Sequence, residues 1–222
     1  MNRWLIGAAL VAVVSLQVGI LDYTAGYHSD TVDESTYLAA STRMVRFGRD
    51  RINREQPPLT KWLMAIALDD VEPMVRNGKR DSWEDSLWSH PPERMLRNLR
   101  AARRVNIGFS VLTSLILFSF LALEFGAVSG LFSVFLLACS PLFLAHSSVA
   151  TLDAGATLTT LLVTLAFWKW MAQPTRWRAL AIAASLSAAM LAKSTALILP
   201  IPALLVVIWR ARRGWNWRRP IL

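Results

Sequence analysis

Long uncharged apolar runs alternate with short charged stretches along this 222-residue chain. The first run, Trp4–Leu21, follows an N-terminus charged only at Arg3. Runs of about 18 or more apolar residues are long enough for a helix to cross a bilayer. No small-x-small cleavage pattern follows it cleanly, so it reads as an uncleaved anchor rather than a signal peptide. From Asp22 to Arg104 the chain is polar and charged, broken by the apolar stretch Trp62–Leu68. That stretch is too short to span, and its Trp62 suits the headgroup layer, which predicts an interfacial or re-entrant helix. After Arg104 the pattern changes for good. Val105–Leu123 is a second span, and residues 125–142 form a third, with a short loop around Ser140-Pro141. Residues 153–171, 177–192 and 194–209 supply three more, the last two turning near Lys193. The expectation is an all-α, polytopic membrane helical bundle: one domain over residues 1–222, about six spans, and a large first outer loop, 22–104, carrying interfacial helices.

Composition agrees: the chain is 54% hydrophobic and 18% charged, with a mean hydropathy of +0.38. That balance excludes a disordered or nucleic-acid-binding chain despite the net charge of +9, because soluble domains carry more charge and no such apolar blocks. The lone cysteine, Cys139, lies in an apolar block, so no disulfide framework or thiolate metal cluster exists. Lys and Arg in short loops set orientation. Arg3, the Lys169/Arg176/Arg178 group and the Arg210/Arg212/Arg213/Arg218/Arg219 group fall on one side of a six-span chain. That side is then cytoplasmic, with both termini, and the 22–104 and 140–152 segments face outward. Arg94, Arg97, Arg100, Arg103 and Arg104 run against the rule by lying outside. Long loops translocate regardless of charge, and anionic lipid phosphate is one candidate partner for them.

Four features could carry chemistry, and all fall on the outer side. Asp33-Glu34 opens a short helix over Asp33–Met44, with Tyr37 one turn on and able to hydrogen-bond Asp33. Such a carboxylate could serve as a general base, or it could simply favour a helix N-terminus. In the run Glu55-Gln56-Pro57-Pro58-Leu59-Thr60-Lys61-Trp62, Lys61 could bind a phosphate or be an ordinary snorkelling lysine. Arg103 and Arg104, at the mouth of the second span, could pair with lipid phosphate or anchor the headgroup region. Asp153 borders the fourth span, where an acidic residue is either functional or a helix N-cap. No Gly-rich phosphate loop, Cys-x-x-Cys or nucleophile elbow is present, and His28, His90 and His146 lack ligand-like spacing.

In order, Asp33-Glu34, Pro57–Lys61, Ala102-Arg103, Ser140-Pro141 and Thr151–Asp153, followed by Leu-Ala-Lys193-Ser-Thr-Ala, are similar to motifs of the GT-C membrane glycosyltransferases. These enzymes use polyprenyl-phosphate sugars. The chain most resembles the N-terminal half of the protein O-mannosyltransferase and aminoarabinose transferase branch (glycosyltransferase family 39-like). The resemblance implies Asp33 as catalytic base, inversion at the sugar carbon, and Lys61, Arg103 and Arg104 on the lipid phosphate. It also implies Asp153 holding acceptor or sugar, Glu34 and Tyr37 as supports, and Glu55 at a metal position, hence a divalent metal ion. Gln56 stands where the aminoarabinose transferase has lysine and other members have histidine. Family members are longer, so a truncated chain, or a partner supplying the missing C-terminal half, is expected.

The leading expectation is therefore an enzyme, or part of one. It would move a sugar from a polyprenyl-phosphate carrier to a protein, lipid or glycan acceptor on the outer face of a bacterial inner membrane. The alternative is a non-catalytic membrane subunit that binds the carrier lipid or assembles with a glycosyltransferase. A transporter fits less well, since Lys193 is the exception among nearly charge-free spans and no proton relay is evident.

Overall fold

The computed structural model describes residues 2–48, 52–68, 75–76, 79–80 and 92–212. Within them the chain is helical apart from one two-residue antiparallel ladder, β1 (Val75–Arg76) with β2 (Lys79–Arg80). The trailing Arg213, Arg218 and Arg219, and His90, lie outside the described residues.

The first apolar run becomes α1 (Arg3–Tyr27), begun by Asn2, whose side chain accepts the Trp4 N–H at 3.2 Å. The outer segment holds α2 (Val32–Phe47) and α3 (Leu59–Ile66). α2 starts as a capping box: the Glu34 carboxylate reaches back to the Thr31 N–H. α3 is two-faced. Thr60, Lys61, Met64 and Ala65 point inward, whereas Trp62, Leu63 and Ile66 are exposed, as an interfacial helix requires. The second span is the upper part of a much longer helix, α4 (Pro92–Phe125), which begins well before the apolar run at Val105. The third is bent rather than straight: α5 (Ala127–Ala138) meets α6 (Pro141–Ser147) at 68°. Where a loop was expected around Ser140-Pro141, Ser140 caps α6 and Pro141 takes its first turn. α7 (Asp153–Ala172), α8 (Arg176–Ala192), a 3-10 turn (Ser194–Ile198) and α9 (Pro200–Arg212) complete the chain.

Three stretches are long and apolar enough to cross a membrane by themselves: α1, α4, and the 3-10 turn with α9. The bent α5–α6 pair makes a fourth if it counts as one span. α7 has 20 residues, about 30 Å of helix, but its threonines and Lys169 dilute its hydropathy; α8 is shorter, with 17. The lipid-facing character is plain on α9, none of whose residues is buried, and along α1, where Trp4, Leu5, Val11 and Leu16 are exposed. The chain is an integral membrane protein.

Packing runs α1 against α4 and α5, α4 against α5 and α7, and α7 against α8. Gly130 lets α5 sit on α4: a Cβ there would lie 2.8 Å from the Phe118 carbonyl oxygen, so any side chain pushes the two backbones apart. Inside the bundle the Ser114 hydroxyl donates to Gln17 Oε1 at 2.9 Å, a buried polar tie between α4 and α1. The densest apolar cluster lies outside the spans. Leu38, Ala39, Met64, Met95, Leu99 and Leu152 bring α2, α3, the lower part of α4 and the 148–152 segment together. The described parts of the 22–104 segment thus form a packed layer seated on the ends of the helices.

Candidate functional site

That layer is organised by one buried ion pair. Arg103 on α4 is 1% exposed and Glu34 on α2 is 0% exposed. Arg103 Nε and Nη2 donate to the two carboxylate oxygens at 2.8 and 2.9 Å, the forked geometry that suits guanidinium and carboxylate. Its remaining N–H groups donate to the carbonyls of Ala25 (2.8 Å), His28 (2.9 Å) and Ser29 (3.0 Å) where α1 ends. All five guanidinium donors are thereby used. Glu34 also accepts the Ala150 N–H at 2.6 Å and the Thr31 N–H at 2.9 Å. Burial pushes the Glu34 carboxyl up, but the Arg103 hydrogen bond, the Ala150 and Thr31 N–H groups and the Arg103 charge outweigh it, holding the group below the usual carboxylate range.

Two of the residues expected on a lipid phosphate have hydrogen-bond partners inside the protein. Arg103 was expected on a lipid phosphate, but its donors all end on the protein. Lys61 was expected in the headgroup layer, yet it is 1% exposed and turns inward. Its ammonium donates to the carbonyls of Asn53 (2.7 Å) and Gln56 (2.9 Å). Both cations are frame members: Arg103 joins α1, α2, α4 and the 148–152 segment, and Lys61 shapes the 53–58 loop. Arg104 is not brought to them. It lies on another face of α4, half open, with Nε donating to Asp22 Oδ1 at 3.0 Å.

The frame presents carboxylates from three segments. Asp33, next to Glu34 in sequence, is exposed on the first turn of α2. Glu55 is exposed on the loop held by Lys61 and accepts the Asn53 side-chain N–H at 2.8 Å. The same loop is tied to the start of the 3-10 turn, since Ser194 Oγ bridges the Glu55 carbonyl and Gln56 Oε1, both at 3.0 Å. Asp153 follows the 148–152 segment, which Asn106 also grips by donating to the Val149 and Thr151 carbonyls at 2.6 and 2.8 Å. Gly155 allows α7 to approach α3 closely: a Cβ there would lie 2.7 Å from Thr60 Oγ1. Tyr37 lies one turn beyond Asp33 on α2 and is half-buried. Burial raises its phenol first, and the charges of Asp33, Asp153 and Glu55 raise it further. The expected Tyr37–Asp33 hydrogen bond does not form; the tyrosine is coupled to Asp33 by charge.

Asp153 has partners that residue spacing did not reveal. Lys193, between α8 and the 3-10 turn, donates to Asp153 Oδ1. His146 Nδ1 of α6 lies 3.3 Å from Oδ2, and the Thr151 hydroxyl donates to the same oxygen at 3.1 Å. A pocket of about 300 Å³ opens beside Asp153 and His146. Lys193 had one signal in the sequence, a lone charge in an apolar block, which is a functional hypothesis by default; His146 had none. The expected metal position is not completed by this part of the chain. Among the described residues no three His, Cys, Asp or Glu side chains assemble a metal-holding group around Glu55 or elsewhere.

A helical membrane domain with a packed extramembrane layer held by a buried Glu–Arg pair defines a class, polytopic membrane proteins with a structured layer at the ends of the spans. The chain belongs to the dolichyl-phosphate-mannose-protein mannosyltransferase family, whose model matches residues 96–222, more than half of it. Among solved structures it is similar to ArnT from Cupriavidus metallidurans, determined bound to undecaprenyl phosphate, with a TM-score of 0.66 at 19% identity. The match covers 97% of this chain and 37% of that one, so the chain spans little more than a third of its structural neighbour. The expected GT-C architecture is therefore the observed one. No curated protein sequence is significantly similar to the chain.

Proposed function

We propose that this chain is the amino-terminal part of a membrane glycosyltransferase that moves a sugar from a polyprenyl-phosphate carrier to an acceptor on the outer face of the inner membrane. Both termini of the 222-residue segment then face the cytoplasm and six segments cross the bilayer. The observation that carries this reading is the Glu34–Arg103 clamp, which ties the start of α2, bearing the exposed Asp33, to the 148–152 segment that leads into Asp153. Family membership and the undecaprenyl phosphate bound by the structural neighbour support the donor class.

Asp33 is exposed and makes no side-chain hydrogen bond among the described residues, so its carboxylate is the group open to an incoming acceptor. It takes the acceptor's proton as the nucleophile attacks the sugar's anomeric carbon from the side opposite the carrier. The carbon–phosphate-oxygen bond breaks with inversion, and the carrier phosphate leaves with the bonding pair. Cationic groups aimed at developing negative charge are a large term in such catalysis. Lys193 takes that role in place of Arg103 and Lys61, with Asp153 holding its ammonium in position.

The test is the Asp33→Asn variant of the intact protein in native membranes supplied with radiolabelled polyprenyl-phosphate sugar. Transfer should fall at least about 100-fold, with donor retention by the membranes unchanged. Transfer at the wild-type rate would remove Asp33 as the base. Transfer and donor retention both unchanged would favour the carrier-binding subunit instead.

A further inference from the structure

The arginines that run against the orientation rule do not all go into the frame. Arg97, Arg100 and Arg104 follow one another at i, i+3 and i+7 on α4 and are exposed, on a face about 100° away from Arg103. We propose that this face, with the adjoining end of α1, binds the phosphate of an anionic membrane phospholipid at the hydrocarbon boundary, apart from the sugar-transfer site. Arg104 and Asp22 adjoin the apolar runs that begin at Val105 and end at Leu21, so both helices place the same level at the membrane surface. Two grooves of about 420 and 150 Å³ meet there, sharing Arg100 and Arg104. Neither is lined by Asp33, Tyr37, Glu55, Asp153 or Lys193.

The walls fit a lipid headgroup. Tyr23 and Tyr27, 63% and 77% exposed with ring centroids 4.5 Å apart, edge the smaller groove, as belt aromatics do at headgroup level. Leu96, 51% exposed, floors the larger one. The Arg100 and Arg104 guanidinium groups are incompletely used. Arg104 donates through Nε to an Asp22 that is itself 51% exposed, and Arg100 Nη2 donates weakly to the Gly26 carbonyl at 3.3 Å. Each keeps further N–H groups in the planar arrangement that matches a phosphate. A membrane phospholipid is favoured over a soluble anion because the site combines these donors with exposed apolar walls at the boundary itself. The inference needs only that α1 and α4 cross the bilayer, and it stands or falls apart from the sugar-transfer reading.

Native mass spectrometry of the intact protein, titrated with phosphatidylglycerol or phosphatidylcholine, tests it. The wild type should retain phosphatidylglycerol preferentially. The double variant Arg100→Gln/Arg104→Gln should weaken that retention on the order of tenfold, while Asp33→Asn leaves it unchanged. Asp22→Asn, at an exposed position, frees Arg104 and should strengthen retention, which keeps the test decisive if the double variant does not fold. Unchanged phosphatidylglycerol preference in both variants would overturn the proposal. Displacement of the lipid by millimolar inorganic phosphate would also overturn it, leaving a simple anion site.

Discussion

Arg103 and Arg104 are consecutive residues on one helix, yet they belong to different kinds of structure. Arg103 is 1% exposed and gives every N–H to the protein; Arg104 has a side chain 66% exposed and shares one N–H with an equally wet aspartate. The helix turns about 100° between them, enough to send one into the layer of α1, α2 and the 148–152 segment and the other to the membrane surface. Charge alone does not distinguish them, and neither does distance from the apolar run. What differs is whether a partner of matching geometry has also been carried out of water. A buried ion pair stabilises little relative to an apolar replacement, but losing one partner strands a charge. The exposed pair is screened and loses little either way.

The comparison breaks most visibly at the clamp. Glu34→Ala leaves the Arg103 guanidinium buried without its carboxylate, and should cost about 3–5 kcal/mol. It should appear as a large drop in the thermal midpoint measured by fluorescence-detected gel filtration in detergent. Arg103→Lys should not rescue the position, because an ammonium has three donors and no fork while five acceptors wait: two oxygens of Glu34 and three carbonyls. The clamp also has a pH signature. The Glu34 carboxyl titrates lower in the folded chain than in the unfolded one, whose ordinary value is 4.5. Its contribution is therefore complete above that value and is lost as pH falls through the lower folded one. Midpoints recorded from neutral pH down into the acid range should fall in the wild type and fall less in Glu34→Gln, which has no carboxylate to titrate. Parallel curves would mean that the pair does not couple to folding.

Asn106 sharpens the comparison at intermediate size. It lies one turn beyond Arg103, on the same face of α4, and grips the same segment through the Val149 and Thr151 carbonyls. Asn106→Ala strands one buried and one part-buried acceptor, a loss of about 1–3 kcal/mol. Because that segment leads into Asp153, transfer should suffer beyond what the lost stability explains. Thermal midpoint and transfer rate measured on the same membranes separate the two effects. A variant with reduced midpoint and unchanged rate would show that Asp153 does not depend on this grip.

How far the sequence carries this picture differs between its two levels. The helices, including the short α2 and α3, and the break at Lys193 follow from hydropathy and proline placement, because a bilayer leaves few ways to satisfy the backbone. Of the six expected spans, three are long and apolar enough to cross by themselves, and the bent α5–α6 pair makes a fourth. Asp33, Glu55, Tyr37 and Asp153 are legible as candidates from residue type and from their places beside the apolar runs. The direction of the cations is not. Snorkelling and inward-turned lysine have the same sequence, and Lys61 turns inward only because the Asn53 and Gln56 carbonyls form a cage 5 to 8 residues back along the chain. The partnership of Lys193 with Asp153 joins residues 40 apart, and Glu34 reaches Ala150 across 116; no local pattern encodes either.

The smallest effect is the one that most cleanly separates the two arginines. Asp22→Asn removes the partner of Arg104 from a pair whose side chains are 66% and 51% exposed. Water solvates both ends before and after the change, so stability should move by no more than about 1 kcal/mol, and the difference should vanish in high salt because surface charges are screened. Glu34→Gln keeps shape as Asp22→Asn does but turns one accepting oxygen into an NH2 donor, and its deficit should persist in salt, since ions do not reach a side chain that is 0% exposed. Midpoints of the two variants in low and high salt make the contrast measurable. If the Asp22 variant proved as costly as the Glu34 variant, and as indifferent to salt, the outer face of α4 would be part of the frame and not a surface held open at the membrane.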